Sequence, residues 1–103
     1  MEVSFRVNRL LDDARVSVTT SAQKIFDLYT GFDMTNIGQI KSVIITNMSA
    51  GNIYYGKSVT VTTANAGGII YPNQSREIPM VDLNYSPYFI AGSTLSAGLE
   101  FWG

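Results

Sequence analysis

Ile40 to Ser75 read IKSVIITNMSAGNIYYGKSVTVTTANAGGIIYPNQS, and the parsing of this stretch decides the fold. Val43, Ile44 and Ile45 are consecutive, which suggests a strand covered on both faces and hence central in a sheet. Met48, Ser49, Ala50 and Gly51 supply a turn into a short aromatic strand, NIYYG. After Gly56 and Lys57, SVTVTT sets Val59 and Val61 against Ser58, Thr60 and Thr62, the alternation of a polar β-ribbon. Residues 64–68 are a small-residue loop. The short apolar run Ile69, Ile70 and Tyr71 follows, and Pro72, Asn73 and Gln74 break it.

Working outward, SREIPMV (75–81) reads as a strand that Pro79, lacking an N–H, confines to a sheet edge. YSPYFIAG (85–92) and LSAGLEFW (95–102) read as a closing hairpin, with Leu95, Ala97, Leu99 and Phe101 on one face. Towards the N-terminus, EVSFRVN (2–8) alternates Val3, Phe5 and Val7 against Glu2, Ser4, Arg6 and Asn8. Residues 9–13 are a link, too short to sustain a helix alone. ARVSVTT (14–20) alternates again, with Val16 and Val18 inward. SAQKIFDLYTGF (21–32) is ambiguous: Ile25, Leu28, Tyr29 and Phe32 fit a helical stripe with Ser21 as cap, while Phe26 and Leu28 fit one face of a strand. Residues 33–38 read as a loop. Turn signals recur about every 8–12 residues, the spacing of a β-sandwich or barrel. The expected fold is all-β: one antiparallel, jelly-roll-like sandwich of about eight short strands over residues 14–103, preceded by a strand or arm and link over 1–13.

Composition bounds the function. A chain of 103 residues is one domain and buries only about 60–65% of its unfolded surface, so an added interface is the usual remedy for a small core. Dimers or trimers are both natural outcomes, with the trimer favoured. The chain has no cysteine and no histidine, which removes disulfides, thiolate metal sites, cysteine nucleophiles and imidazole bases. Seven basic and eight acidic side chains give a net charge of −1, far from the basic footprint of a nucleic-acid-binding domain. No apolar run of about 18 residues is present, and the N-terminus lacks a signal-peptide core, so synthesis in the cytoplasm and no membrane partner are expected. No cofactor and no enzymatic activity are expected.

The candidate chemical motifs are weak. Asp12 and Asp13, the one adjacent carboxylate pair, sit beside Arg9 and Arg15 and read as a solvated, charge-balanced turn. Ser21 and Lys24 match S-x-x-K without any other catalytic cue. The acidic residues are dispersed and show no calcium-loop spacing. GNIYYGKS (51–58) satisfies the spacing of a phosphate loop, yet such a loop needs small flexible backbone between a strand and a helix. Here its interior is Asn52, Ile53, Tyr54 and Tyr55, and a Thr/Val stretch follows. Most aromatics read as core. Trp102 falls on the polar side of the last strand with Ser96 and Glu100, and is either covered by the N-terminal segment or part of an interface.

The succession from Ser42 to Trp102 resembles a small β-sandwich module of tailed-bacteriophage virion proteins. The matching positions are Ile45, Thr46 and Asn47; Ile53, Tyr54, Tyr55 and Gly56; Val61, Thr62 and Thr63; Gly68, Ile69 and Ile70; Pro72 and Asn73; and Tyr88 to Gly92. VSVTTSAQKIF resembles the module's first two strands, which tips residues 21–32 towards β. The likeness spans about residues 14–103 and departs at Pro72-Asn73, where the module more often shows Pro-Gly or an acidic residue, and in the extra strand at 2–8. The resemblance implies a structural virion protein: a capsid decoration (cement) protein on the exterior of the capsid, with the major capsid protein or another virion protein as partner. The alternatives are a small neck or tail adaptor, or a receptor- or glycan-binding module using Tyr54, Tyr55, Asn65 and Asn73. The expected interaction residues are Tyr54, Tyr55 and Trp102 together with Val3, Phe5, Arg6, Val7 and Arg9. The first strand would add to the edge of another chain's sheet or pair within its own domain.

Overall fold

A computed structural model describes residues 9–80 and 86–103. Seven strands lie within them: β1 (Leu10–Val18), β2 (Ser42–Asn47), β3 (Ile53–Gly56), β4 (Gly68–Ile70), β5 (Ser75–Pro79), β6 (Tyr88–Ala91) and β7 (Leu95–Trp102). Between β1 and β2 run a single helical turn, α1 (Ile25–Leu28), and a 3-10 stretch, Met34–Gln39. The strands form two antiparallel sheets, ordered β1-β7-β2-β5 and β4-β3-β6. One core joins them: Val16, Val18, Val43, Ile45, Leu99 and Phe101 from the first sheet meet Ile53, Ile70, Phe89 and Ala91 from the second. The expected all-β sandwich is therefore the observed fold. The strand expected at 2–8, with Val3, Phe5, Arg6 and Val7, lies outside the described residues.

The two-residue alternation explains the layering. In β7, Ala97, Leu99 and Phe101 are buried while Ser96, Gly98, Glu100 and Trp102 face outward. β2 is central, bonded to β7 and β5, but its faces are unequal. Val43, Ile45 and Asn47 are buried and Ile44 is part-exposed on the outer side, so the strand expected to be covered on both faces is covered on one. β5 pairs only with β2 and lies at the sheet's end, as Pro79 requires.

Four further sequence expectations are corrected. The closing hairpin does not form: β6 pairs with β3 and β7 pairs with β1 and β2, in different sheets. A hairpin would set Phe89 and Ala91 beside Leu99 and Phe101 on one sheet, whereas crossing the sandwich sets the two apolar rows face to face and buries both. Residues 10–13, read as a link, are the first half of β1, with a bulge between Leu10 and Asp12 where it meets Trp102 and Phe101. SVTVTT is no strand. Its turn is held by the Val61 N–H on the Ser58 carbonyl at 3.0 Å and by the Asn65 side chain, which accepts from the Thr62 N–H at 2.6 Å, bonds that compete with a ladder. Residues 21–32, tipped towards β by the resemblance, contain the helical turn α1. The β character is confined to residues flanking β6, where Gln23 and Phe89 exchange backbone bonds of 3.1 and 2.8 Å and Ala91 N–H reaches Thr19 at 2.9 Å.

The helical stripe read in that segment does bury. Ile25 is fully enclosed, and Phe26, Tyr29 and Phe32 gather around Phe101 with ring centroids 5.9, 5.7 and 4.9 Å away. Such aromatic pairs add about 0.5–1.5 kcal/mol each beyond burial, enough to hold a turn that propensity alone would not.

Candidate functional site

The two outer faces differ in character. On the four-stranded sheet the register brings Asp13, Glu100, Ile44 and Glu77 into one row and Arg15, Gly98, Thr46 and Ser75 into the next. These two rows are mostly polar and charged, and a further row of the same face holds Leu10, Trp102 and Ser42, with Leu10 43% exposed. On the three-stranded sheet, Tyr54 is paired with Ile69 of β4 and Ile90 of β6, and all three side chains are part-exposed. Tyr88 follows on the same face, with the Lys24 ammonium 5.4 Å above its ring. An antiparallel sheet with one solvated face ordinarily carries polar residues outward. The row of isoleucine, tyrosine and isoleucine departs from that pattern.

Beside this face opens a cavity of about 540 Å³, lined by Tyr55, Gly56, Lys57, Ser58, Thr60, Val61, Asn65, Gly67 and Pro87. Tyr55 points inward from β3, packs across Gly68 of β4 and lies 6.0 Å from Phe89. A Cβ on Gly68 would fall inside the Tyr55 ring, so glycine is what lets the ring lie over the neighbouring strand. The Arg76 guanidinium, inward-pointing on edge strand β5, sits 5.6 Å above the same ring, a cation–π contact. Val61 and Pro87 are buried and make an apolar floor, while Lys57, Ser58, Thr60 and Asn65 form an exposed polar rim.

The rim is a built loop. Ser58 and Thr60 hydroxyls lie 2.9 Å apart, the Asn65 amide donates to the Thr60 carbonyl at 3.3 Å, and its backbone N–H donates to the Thr62 hydroxyl at 3.2 Å. Gly56 faces Val61, whose Cγ2 would stand 2.8 Å from an added Cβ; that close approach pins the loop to β3.

The structure separates most of the expected site residues. Tyr54 and Tyr55 are neighbours in sequence but face opposite sides of the sheet, one on the outer apolar row and one in the core beside the cavity. Of the four residues expected to line a concave site, Tyr55 and Asn65 share the cavity. Tyr54 does not line it, and neither does Asn73, which sits in the turn before β5 with its N–H on the Asn47 carbonyl at 2.9 Å. Trp102 is half-buried on the outer face of the four-stranded sheet, its indole N–H shielded and without an acceptor among the described residues. Arg9 is tied to the other terminus, exchanging backbone bonds of 3.0 and 2.9 Å with Gly103 and donating to Gln39 at 3.3 Å. Asp12 and Asp13, read as a solvated turn, are split by the strand: the part-buried Asp12 accepts from the Tyr29 hydroxyl at 2.8 Å and Asp13 points to solvent. Two carboxylates on opposite strand faces cannot share one substrate. That hydrogen bond, with burial and the two aspartate charges, raises the Tyr29 pKa above its ordinary value. Asp33 is held below its ordinary value, chiefly by hydrogen bonds from the Thr35 hydroxyl and N–H. GNIYYGKS runs into a strand whose Ile53 is fully buried, and no helix follows it to receive phosphate.

Sequence reasoning missed Ile69 and Ile90 as partners of Tyr54. The signal was the alternation in GII and YFIA, legible only once each strand's inward residue is known. No helix among the described residues is long and apolar enough to cross a membrane. No protein-family model, curated protein or solved structure matches this chain.

Proposed function

We propose that this protein is a structural virion component, a decoration (cement) protein that docks on the outer surface of a bacteriophage capsid. The reading rests on the likeness of its turn-and-strand pattern to virion sandwich modules, and one structural observation favours it: the apolar row on the outer face of the three-stranded sheet. The row Ile69, Tyr54 and Ile90 offers an apolar patch to a protein surface, and the charged rows of Asp13, Arg15, Glu77 and Glu100 on the other sheet stay compatible with solvent. Docking through the three-stranded sheet would desolvate the first and leave the second hydrated, as the apolar centre and polar periphery of protein interfaces demand.

The test is sedimentation of purified protein with capsids assembled from the major capsid protein of the same phage, and in parallel with isolated tails. Saturable capsid binding that is lost in Ile90→Glu supports the proposal. Binding to tails alone would transfer the protein to a neck or tail position, and binding to neither would overturn the virion reading.

A further inference from the structure

We infer that the cavity beside Tyr55 is a binding site for an acidic saccharide, one or two sugar rings bearing a carboxylate. Its volume, about 540 Å³, falls within the roughly 300–1,000 Å³ of small-molecule sites. Its chemistry is that of a polyol acceptor. The Ser58 and Thr60 hydroxyls and the Asn65 amide stand on one exposed rim, and their opposed donors and acceptors suit the vicinal hydroxyls of a sugar. The edge of the Tyr55 ring, Val61 and Pro87 provide the apolar surface against which sugar C–H groups pack. Among the described residues Lys57 is the one charged residue lining the cavity, and a lysine there selects a ligand carrying negative charge.

The loop that carries this rim argues that the site is made for binding rather than left over from folding. Val61 alone of residues 58–65 is buried, so the loop contributes little to the core. Yet the Ser58–Thr60, Thr62–Asn65 and Asn65–Thr60 side-chain bonds fix its shape. A loop ordered in advance loses less entropy when its ligand arrives, which raises affinity without adding contacts. The second N–H of the Asn65 amide is not used in these bonds and remains to donate to the ligand.

Isothermal titration of the full chain with a glucuronate-containing disaccharide, and with the same disaccharide after reduction of its carboxylate to an alcohol, tests the inference. Saturable binding of the acid at micromolar to millimolar concentration is expected, at least about tenfold tighter than the reduced sugar and weakening with added salt. Lys57→Gln, an exposed substitution, should leave the melting temperature unchanged and remove most of the preference for the acid. Thr60→Ala should weaken both sugars. No binding of either sugar, equal binding of the two, displacement by acetate at the same concentration, or an unchanged preference in Lys57→Gln would each overturn it. The outcome is independent of capsid binding, since the cavity and the apolar row of Tyr54 are separate surfaces.

Discussion

At the scale of single residues, Asn47 ties the sandwich together. It is fully buried, and its amide donates to the carbonyls of Gly51 and Ile70 at 2.7 and 2.8 Å while its side-chain oxygen accepts from the Ser49 N–H and hydroxyl at 3.0 and 2.7 Å. A strand of one sheet is thereby pinned to β4 of the other. Asn47→Ala removes the amide that serves the buried Ile70 carbonyl and leaves the Gly51 carbonyl only the Ser49 hydroxyl at 3.2 Å, and should cost about 2–4 kcal/mol in urea unfolding; a loss under about 1 kcal/mol would mean the clasp is dispensable. Asn73 adopts φ 65° as the third residue of a turn closed by Gln74 N–H on the Tyr71 carbonyl at 3.0 Å. Asparagine tolerates that left-handed position as glycine does. Tyr29 yields a pH prediction. Its folded pKa is raised by Asp12, so the folded state keeps a proton that the unfolded state has already lost. The stabilisation is complete below the ordinary tyrosine value of about 10 and is lost as pH rises through the raised folded value. The difference in urea midpoint between the wild type and Tyr29→Phe should hold constant near neutrality and shrink in that alkaline window. A difference that persists beyond it would show that the hydrogen bond to Asp12 is not what shifts the group.

At the scale of elements, the segment 58–63 separates alternation from strand formation. Were it a ribbon with Val59 and Val61 on one face, both would be buried alike. Val59 is 62% exposed and Val61 6%. Val59→Thr should therefore change stability by less than about 0.5 kcal/mol, while Val61→Ala should cost about 1–2.5 kcal/mol, and denaturant curves showing equal costs would restore the ribbon. α1 illustrates the converse: a turn of four residues exists because Ile25 and the rings around Phe101 bury it. Its first turn is closed by the Lys24 N–H on the Asp27 carboxylate at 3.1 Å and the Ile25 N–H on the Ser86 hydroxyl at 3.1 Å.

For the whole molecule, a sandwich of this size with an apolar row on one outer face is expected to self-associate, as a dimer or trimer, when no larger partner covers that row. Sedimentation velocity should show assembly that Tyr54→Glu abolishes with little change in melting temperature, because Tyr54 lies on the outer face. A wild-type protein that stays monomeric at high concentration would remove self-association from the account. Deletion of residues 2–8 asks a separate question. Retained melting temperature with lost assembly would identify an interaction arm, and unfolding would identify a strand of the domain itself.

The sequence by itself determined the fold class, because alternation in β7 and the second half of β1 and the spacing of turn residues are local consequences of backbone geometry. It also placed β5 at an edge, since the missing N–H of Pro79 is a property of one residue. Tertiary structure alone decided which sheet each strand joins, and with it the separation of β6 from β7, because burying two apolar rows against each other depends on residues far apart in the chain. It decided that 58–63 forms a loop and that 25–28 forms a helical turn, where side-chain bonds and aromatic packing outweigh weak local preference. The two surfaces carried the same lesson. Tyr54 and Tyr55 were legible as exposed aromatic candidates, but the pleat sends them to opposite faces, and Ile69, Ile90, Lys57 and Thr60 became their neighbours only through strand pairing and loop closure.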